Sequence, residues 1–200
     1  MDHNFEFEKA YWGDCCNTFD EETKHFVYAK LMGISIQGYG FSVNQKSILD
    51  LGGGPVSMLL KTTGFTKAKV VDPIAYPSWT AERYLSHNIE LLISKAEKIC
   101  EKNWDEVWIY NCLQHVDDPS LILRNALKAA KLIRIFEWID IPAHEGHPHE
   151  LTKKNLDLWL GTQGNTINLA ESGCYGNAYY AVQASPCYYV ASDISYQPLR

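Results

Sequence analysis

The segment KSILDLGGGPVSMLL, residues 46–60, constrains this chain more than any other. A short apolar run carries an acid at Asp50 and stops at three consecutive glycines, Gly52, Gly53 and Gly54. Glycine has no Cβ, so Gly52 and Gly54 let the backbone turn sharply and let a ligand approach the main chain where a side chain would collide. The following VSMLLKTTG reads as a helix closed at Gly64, with its first N–H groups open to a ligand. Strand, glycine turn and helix together predict a parallel α/β unit that holds something nucleotide-like at the strand's carboxyl end.

The rest of the chain extends that unit. KVVD reads as a second strand stopped at Asp72-Pro73, WTAERYL as a helix, and IELLIS and EVWIY as the third and fourth strands. Asp118 is placed to cap SLILRNALKAA, with Pro119 at its first position. LIRIFEWI forms a fifth strand, Thr152 caps KKNLDLWL, and TINLAES and NAYYAVQAS close the chain as a hairpin turned at Gly173 to Gly176. The pattern predicts a doubly wound, seven-stranded, mostly parallel sheet whose last strand is antiparallel. Ahead of it, Thr18 and Glu21 are spaced as a capping box for a helix with Phe19, Thr23, Phe26, Val27, Lys30 and Leu31 on one face, ended by Gly33. We read residues 1–44 as an N-terminal cap and residues 45–200 as the ligand-binding unit, within one structural domain.

Composition narrows the partners. A chain of 200 residues can bury a core that needs neither disulfides nor a structural metal. The six cysteines, Cys15, Cys16, Cys100, Cys112, Cys174 and Cys187, form no C-x-x-C pair and read as thiols. A net charge of -6 with no basic cluster beyond Lys153 and Lys154 argues against duplex nucleic acid. No apolar run is long enough for membrane insertion, and MDHNFEFEKAYW lacks a basic leader, so the expected location is cytoplasmic.

Asp72 lies about twenty residues beyond the glycine turn, where a carboxylate can accept both hydroxyls of a ribose. Residues 47–185 resemble the class I S-adenosylmethionine-dependent methyltransferases, Rossmann-like enzymes whose small-molecule group includes those of quinone biosynthesis. Asp50, Gly52, Gly54 and Pro55 match the family's D-x-G-x-G-P-G, with Val56 in place of the third glycine. In WDEVWIYNCLQHVDDP, Asp105, Val107, Leu113, His115, Val116, Asp118 and Pro119 match its fourth motif. The resemblance implies S-adenosylmethionine as cofactor and S-adenosylhomocysteine as product. It makes Asp72 the ribose acid, puts Ile74 over the adenine, and matches Ala96 and Glu97 to the segment after the third strand, although Lys95 replaces the acid found there. Asn111 ends the fourth strand and can hydrogen-bond the cofactor's methionine or the acceptor. By the same analogy Tyr11, Trp12, Lys24 and Tyr28 of the cap can face the acceptor.

The loop His144-Glu145-Gly146-His147-Pro148-His149-Glu150 gathers imidazoles and carboxylates at the edge where such folds bind ligands. It reads three ways: His147 or His149 as a base, a divalent-metal site with Glu137 or Asp140, or a structural loop shaping a pocket in which His144 meets the acceptor. His115 is a third candidate base, or a packing residue under the fourth strand. No N/D-P-P-Y segment is present, which argues against methylation of exocyclic amines on nucleic-acid bases. The expected reaction is methyl transfer to an oxygen or nitrogen of a small molecule or glycan, a hydroxyl first. Alternatives are a partner subunit that binds S-adenosylmethionine without turnover, and a nicotinamide oxidoreductase, whose G-x-G-x-x-G fingerprint is broken here by Ser57.

Overall fold

A computed structural model of the chain describes residues 3–186. Its elements are α1 (His3–Trp12), α2 (Phe19–Leu31), β1 (Ser35–Gln37), β2 (Gly40–Leu51), β3 (Thr62–Asp72), α3 (Ser78–Ser86), β4 (Ile89–Ile93), β5 (Trp104–Tyr110), α4 (Pro119–Ala129), β6 (Ala130–Trp138), α5 (Lys153–Leu160), β7 (Asn165–Glu171) and β8 (Cys174–Ala184). The sheet order is β4-β3-β2-β5-β6-β8-β7, with the short β1 paired on β2. Strands β4 through β6 are mutually parallel, and β8 enters antiparallel between β6 and β7. From β2 the chain winds outward to β4 and then returns to β5 on the other side of β2. That reversal leaves a crevice at the carboxyl ends of the two central strands.

Both faces of the sheet are covered, which explains why the strands read as continuous apolar runs. Along β5, Val107 and Ile109 pack under α4 and α5 with Leu123, Ala126 and Leu156. Trp108 and Tyr110 face the other way, toward Tyr28, Met32 and Tyr84 of α2 and α3. Each such side chain contributes roughly 1.5–3 kcal/mol on burial. Helix α4 starts as its sequence prescribes, with the Asp118 carboxylate accepting from the Leu121 N–H at 2.9 Å and Pro119 in the first turn. A reciprocal Thr152–Asn155 capping box starts α5, and Gly161 ends it at φ 70°.

The helix expected after the glycine turn is one 3-10 turn, Met58–Lys61, and Gly64 lies inside β3. Geometry forces this. Leu51 pairs with Val71 at one end of the β2–β3 ladder, while Thr62 pairs with Phe41 at the other. Residues 52–61 must therefore run back along a strand length of about 30 Å, where ten residues of α-helix would climb only about 15 Å.

Three smaller expectations also fail. Thr18 makes no cap to the backbone of α2, and its hydroxyl donates instead to Glu22 at 2.6 Å. The buried side of α2 keeps Val27 of the expected face, with Phe26 and Leu31 packed partly buried beside it, but centres on Glu21, His25, Tyr28 and Ala29, whereas Phe19 is 73% exposed. The last hairpin turns at Ser172 and Gly173, both with positive φ, because Glu171 pairs with Cys174 and Gly176 lies within β8 opposite Leu169. Cys15, Cys16, Cys100, Cys112 and Cys174 are free thiols, while Cys187 lies outside the described residues. Among the described residues no helix is long and apolar enough to cross a membrane.

Candidate active site

A cavity of about 420 Å³ opens at the carboxyl ends of β2, β3 and β5, with the glycine turn as its floor. Gly52 and Gly54 have φ of 79° and 61°, the left-handed region that glycine occupies without strain. A Cβ on Gly52 would lie 2.5 Å from the Cys112 Cβ, and one on Gly53 would lie 2.7 Å from Asp50. At Gly54 nothing approaches closer than 3.8 Å, so its main chain faces the cavity. The first two glycines allow tight packing beneath the floor, and the third leaves it bare.

Asp50 is fully buried under that floor and does not line the cavity, which corrects its expected contact with a cofactor. Its Oδ2 accepts from the Ser57 hydroxyl at 2.5 Å and the Tyr110 hydroxyl at 2.6 Å. The same tyrosine accepts from the Met58 N–H, while Tyr84 accepts from the Ser57 N–H and donates to the Gly54 carbonyl. The main-chain donors expected to be open to a ligand are thus tied down by two tyrosines and by the Ser57 hydroxyl, which accepts from Leu59.

Burial pushes the Asp50 carboxyl from 3.8 up to about 7, with Asp72 adding to the rise and Ser57 and Tyr110 opposing it. Between those values the folded protein keeps a proton that the unfolded chain releases, so this group's contribution to stability falls as pH rises. Asp50→Asn lacks that loss. Its stability relative to wild type is expected to improve from pH 4 to pH 8 by on the order of 2–4 kcal/mol. Urea unfolding at both pH values measures this, and a constant gap would refute it.

Asp72 stands at the end of β3 and lines the cavity. Its two oxygens accept from the Gly54 and Ile74 N–H groups, each at 3.0 Å, so it also fixes the turn. Ile74 is buried along the same wall. Ala96 and Glu97 line a cleft of about 30 Å³ that shares Gly52, Pro73 and Val116 with the main cavity. Phe5 of α1 borders this cleft, with the Lys95 ammonium 5.0 Å from its ring. The Glu97 carboxylate accepts the Asp117 and Asp118 N–H groups, which shapes the loop ahead of α4.

Asn111 lines the cavity at φ 50° and donates to Glu21 at 3.3 Å. The opposite wall comes from the N-terminal helices: Tyr11 and Trp12 of α1, Glu21, Lys24 and His25 of α2, with Trp138 beside them. Tyr28 does not reach the cavity. Its ring stacks on Phe136 at 4.3 Å and its hydroxyl donates to Glu21, so it supports the wall from behind.

Besides His25, the histidines His115, His144 and His147 line the cavity, with the His115 and His147 ring centroids 4.5 Å apart. His149 is turned away, and its Nε2 meets the Val116 carbonyl at 2.7 Å, which fits a loop anchor better than a base. Burial and the neighbouring His115 and His144 lower His147 to about 4. Glu137 is buried, with Oε1 accepting the Cys112 and Leu113 N–H groups, so it sets the turn that carries His115. Asp140 accepts from Asn177. Among the described residues no three His, Cys, Asp or Glu side chains are gathered to hold a metal ion.

Sequence reasoning missed Glu8, Glu21, His25 and Trp138. The spacing of Glu21, His25 and Tyr28, one helical stripe, could have exposed two of them.

No family model matches the sequence, and no curated protein matches it. Solved structures do match. The N-methyltransferase NodS from Bradyrhizobium japonicum WM9, in complex with S-adenosyl-L-homocysteine, is similar at 11% identity and a TM-score of 0.66, over 93% of this chain and 100% of that one. DhpI, also a complex with S-adenosylhomocysteine, is similar at 12% identity and 0.60, over 92% and 97%. A chain from the complex between the Haloferax volcanii Trm112 methyltransferase activator and a methyltransferase is similar at 12% and 0.63, over 92% and 97%. The chain has the class I methyltransferase fold. Within that fold its β1 hairpin and its extended β2–β3 crossover, with a 3-10 turn, are the departures from the seven strands and first helix expected from sequence.

Proposed function

We propose that the chain binds S-adenosylmethionine and transfers its methyl group to an oxygen or nitrogen of a small molecule or glycan. The observation that carries this reading is the bare glycine floor with Asp72 hydrogen-bonded beside it, both lining one cavity. The main chain at Gly54 leaves room for an adenosyl group, and the Asp72 carboxylate stands where ribose hydroxyls would donate. Ile74 supplies an apolar cover, and the cleft at Ala96 continues the space where a purine would lie. The SAH-bound neighbours NodS and DhpI support the same ligand.

When bound, the cofactor supplies a methyl on a sulfonium, already a good leaving group, so the protein's task is orientation, exclusion of water and removal of one proton. Lys24 lines the cavity paired with Glu21 at 2.9 Å and keeps donors for a cofactor carboxylate, and Asn111 can donate to the methionine or the acceptor. Tyr11, Trp12 and Trp138 offer aromatic walls to an acceptor, and His144 borders the same space. His115 and His147 are the candidate bases that line that space. Such lining favours an enzyme over a binding-only partner subunit.

Calorimetric titration with S-adenosylmethionine, S-adenosylhomocysteine and NADH tests the reading. Heat is expected from the first two and none from NADH at the same concentrations. Binding of NADH alone would replace the methyltransferase with an oxidoreductase.

A further inference from the structure

Resting on that reading, we infer that Glu8, carried by α1, is the positioning carboxylate that makes His115 the proton acceptor for methyl transfer. The two residues come from opposite ends of the site, Glu8 from the N-terminal helix and His115 from the turn after β5. Their contact is direct, with Glu8 Oε1 2.9 Å from His115 Nδ1. The Gly146 carbonyl lies 2.8 Å from the same nitrogen. A carbonyl only accepts, so Nδ1 carries the hydrogen in the neutral ring, and Nε2 is the basic nitrogen. Both side chains are nearly withdrawn from solvent, at 17% and 18% exposure, and both line the cavity.

The packing of α1 holds Glu8 in place. Phe5 sits against the cleft at Ala96, and Phe7 packs on Gly146, where an added Cβ would fall 2.5 Å from its ring. Trp12 reaches the Gly54 floor. The charged or titratable groups around the imidazole are Glu8 on α1, His144 and His147 on the loop after β6, and Glu137 on β6. Burial works to lower the basicity of His115, and Glu8, Glu137 and the Gly146 carbonyl together outweigh it, so the ring is a stronger base than an ordinary histidine. His147 is driven the opposite way, to about 4, which leaves it a weak competitor.

In the step itself the acceptor's oxygen or nitrogen bonds to the methyl carbon as the carbon–sulfur bond breaks. The electron pair of that bond returns to sulfur, leaving the thioether of S-adenosylhomocysteine. The acceptor's proton passes to Nε2 of His115, and the imidazolium's other proton, on Nδ1, stays against the Glu8 carboxylate. The base is complete only while α1 is docked, so the helix that walls the cavity also completes its chemistry.

The test is nitrogen NMR of the full chain labelled in its histidine rings, with the His115 signals assigned by their loss in H115Q. In the wild type the neutral ring should carry its hydrogen on Nδ1. Glu8→Gln keeps an oxygen that can accept from Nδ1 but removes the charge. A Glu8 carboxylate screened from the ring by water would leave titration unchanged, whereas direct contact of the kind proposed predicts proton affinity at His115 falling about ten-fold or more. An unmoved midpoint, or a neutral ring protonated on Nε2, would overturn it. Calorimetry of the wild-type chain with S-adenosylhomocysteine separates the two failures: binding with an unmoved midpoint removes only the role of Glu8, and absent binding removes the functional reading itself.

Discussion

Asp72→Ala is expected to weaken S-adenosylhomocysteine binding by about 100-fold or more. Hydrogen bonds to a charged group are worth about 1.5–3 kcal/mol each, and a ribose would place two of them on this carboxylate. Their combined loss, about 3 kcal/mol at the lower bound, corresponds to roughly two powers of ten in affinity. The substitution also strips the Gly54 and Ile74 N–H groups of their acceptor, so the floor itself should loosen. Asp72→Asn is the milder change, since its amide oxygen can still accept from one of the two turn N–H groups while the charge is gone. Burial raises the Asp72 carboxyl to about 6, against the hydrogen bonds from Ile74, Gly54 and Tyr76 that lower it. The acid is therefore charged above that pH and neutral below, and wild-type affinity should decline as pH falls through about 6. Calorimetry measures both. Undiminished affinity in Asp72→Ala would remove the ribose from this carboxylate.

The second large effect lies at the far end of the sheet. Glu106 on β5 is almost wholly buried and receives Arg134 through Nε at 2.7 Å and Nη2 at 3.0 Å, the Trp108 indole at 2.8 Å and the Lys46 ammonium at 2.5 Å. Arg134 also donates through Nη1 to the Met32 and Gly33 carbonyls, so this cluster fastens the end of α2 to the sheet. Glu106→Ala leaves a guanidinium and an indole N–H without their carboxylate in a poorly solvated place. A loss of about 3–5 kcal/mol in unfolding free energy is expected, read from urea denaturation. Replacing Glu106 and Arg134 together by methionine should recover at least half of it, because the buried guanidinium is then gone and the remaining charge, Lys46, is 37% exposed to water. A loss below about 1 kcal/mol for the single change would mean that water or Lys46 compensates the cluster.

Where local chemistry and tertiary demand agreed, the sequence was readable. Val107 to Ile109 and Ile133 to Ile135 alternate between two buried faces, and Asp118–Pro119 and Thr152 announce their helices whatever surrounds them. Residues 56–64 were not readable in this way. Val56, Met58, Leu59 and Leu60 make an apolar stretch that suits a helix or an extended chain, and the choice fell to the distance between Leu51 and Thr62, which no local window contains. The β1 hairpin and the first half of β3, TTGFTK, lack alternation and went unseen for the same reason. In the site, the glycine turn and Asp72 could be placed because their chemistry depends on neighbours in sequence. Glu8 could not, since an acid on a helix reads as a solvated face until the helix is docked.

The crossover after the glycine floor has a consequence for ligand choice. Proteins that seize a diphosphate at such a turn rely on a full helix whose aligned peptides concentrate partial positive charge at its first turn. Here a single 3-10 turn stands in that place, and tyrosine oxygens already engage its leading amides. The electrostatic welcome for polyanions is therefore missing from this floor, and a nucleoside that carries a cation in place of phosphates meets no penalty there.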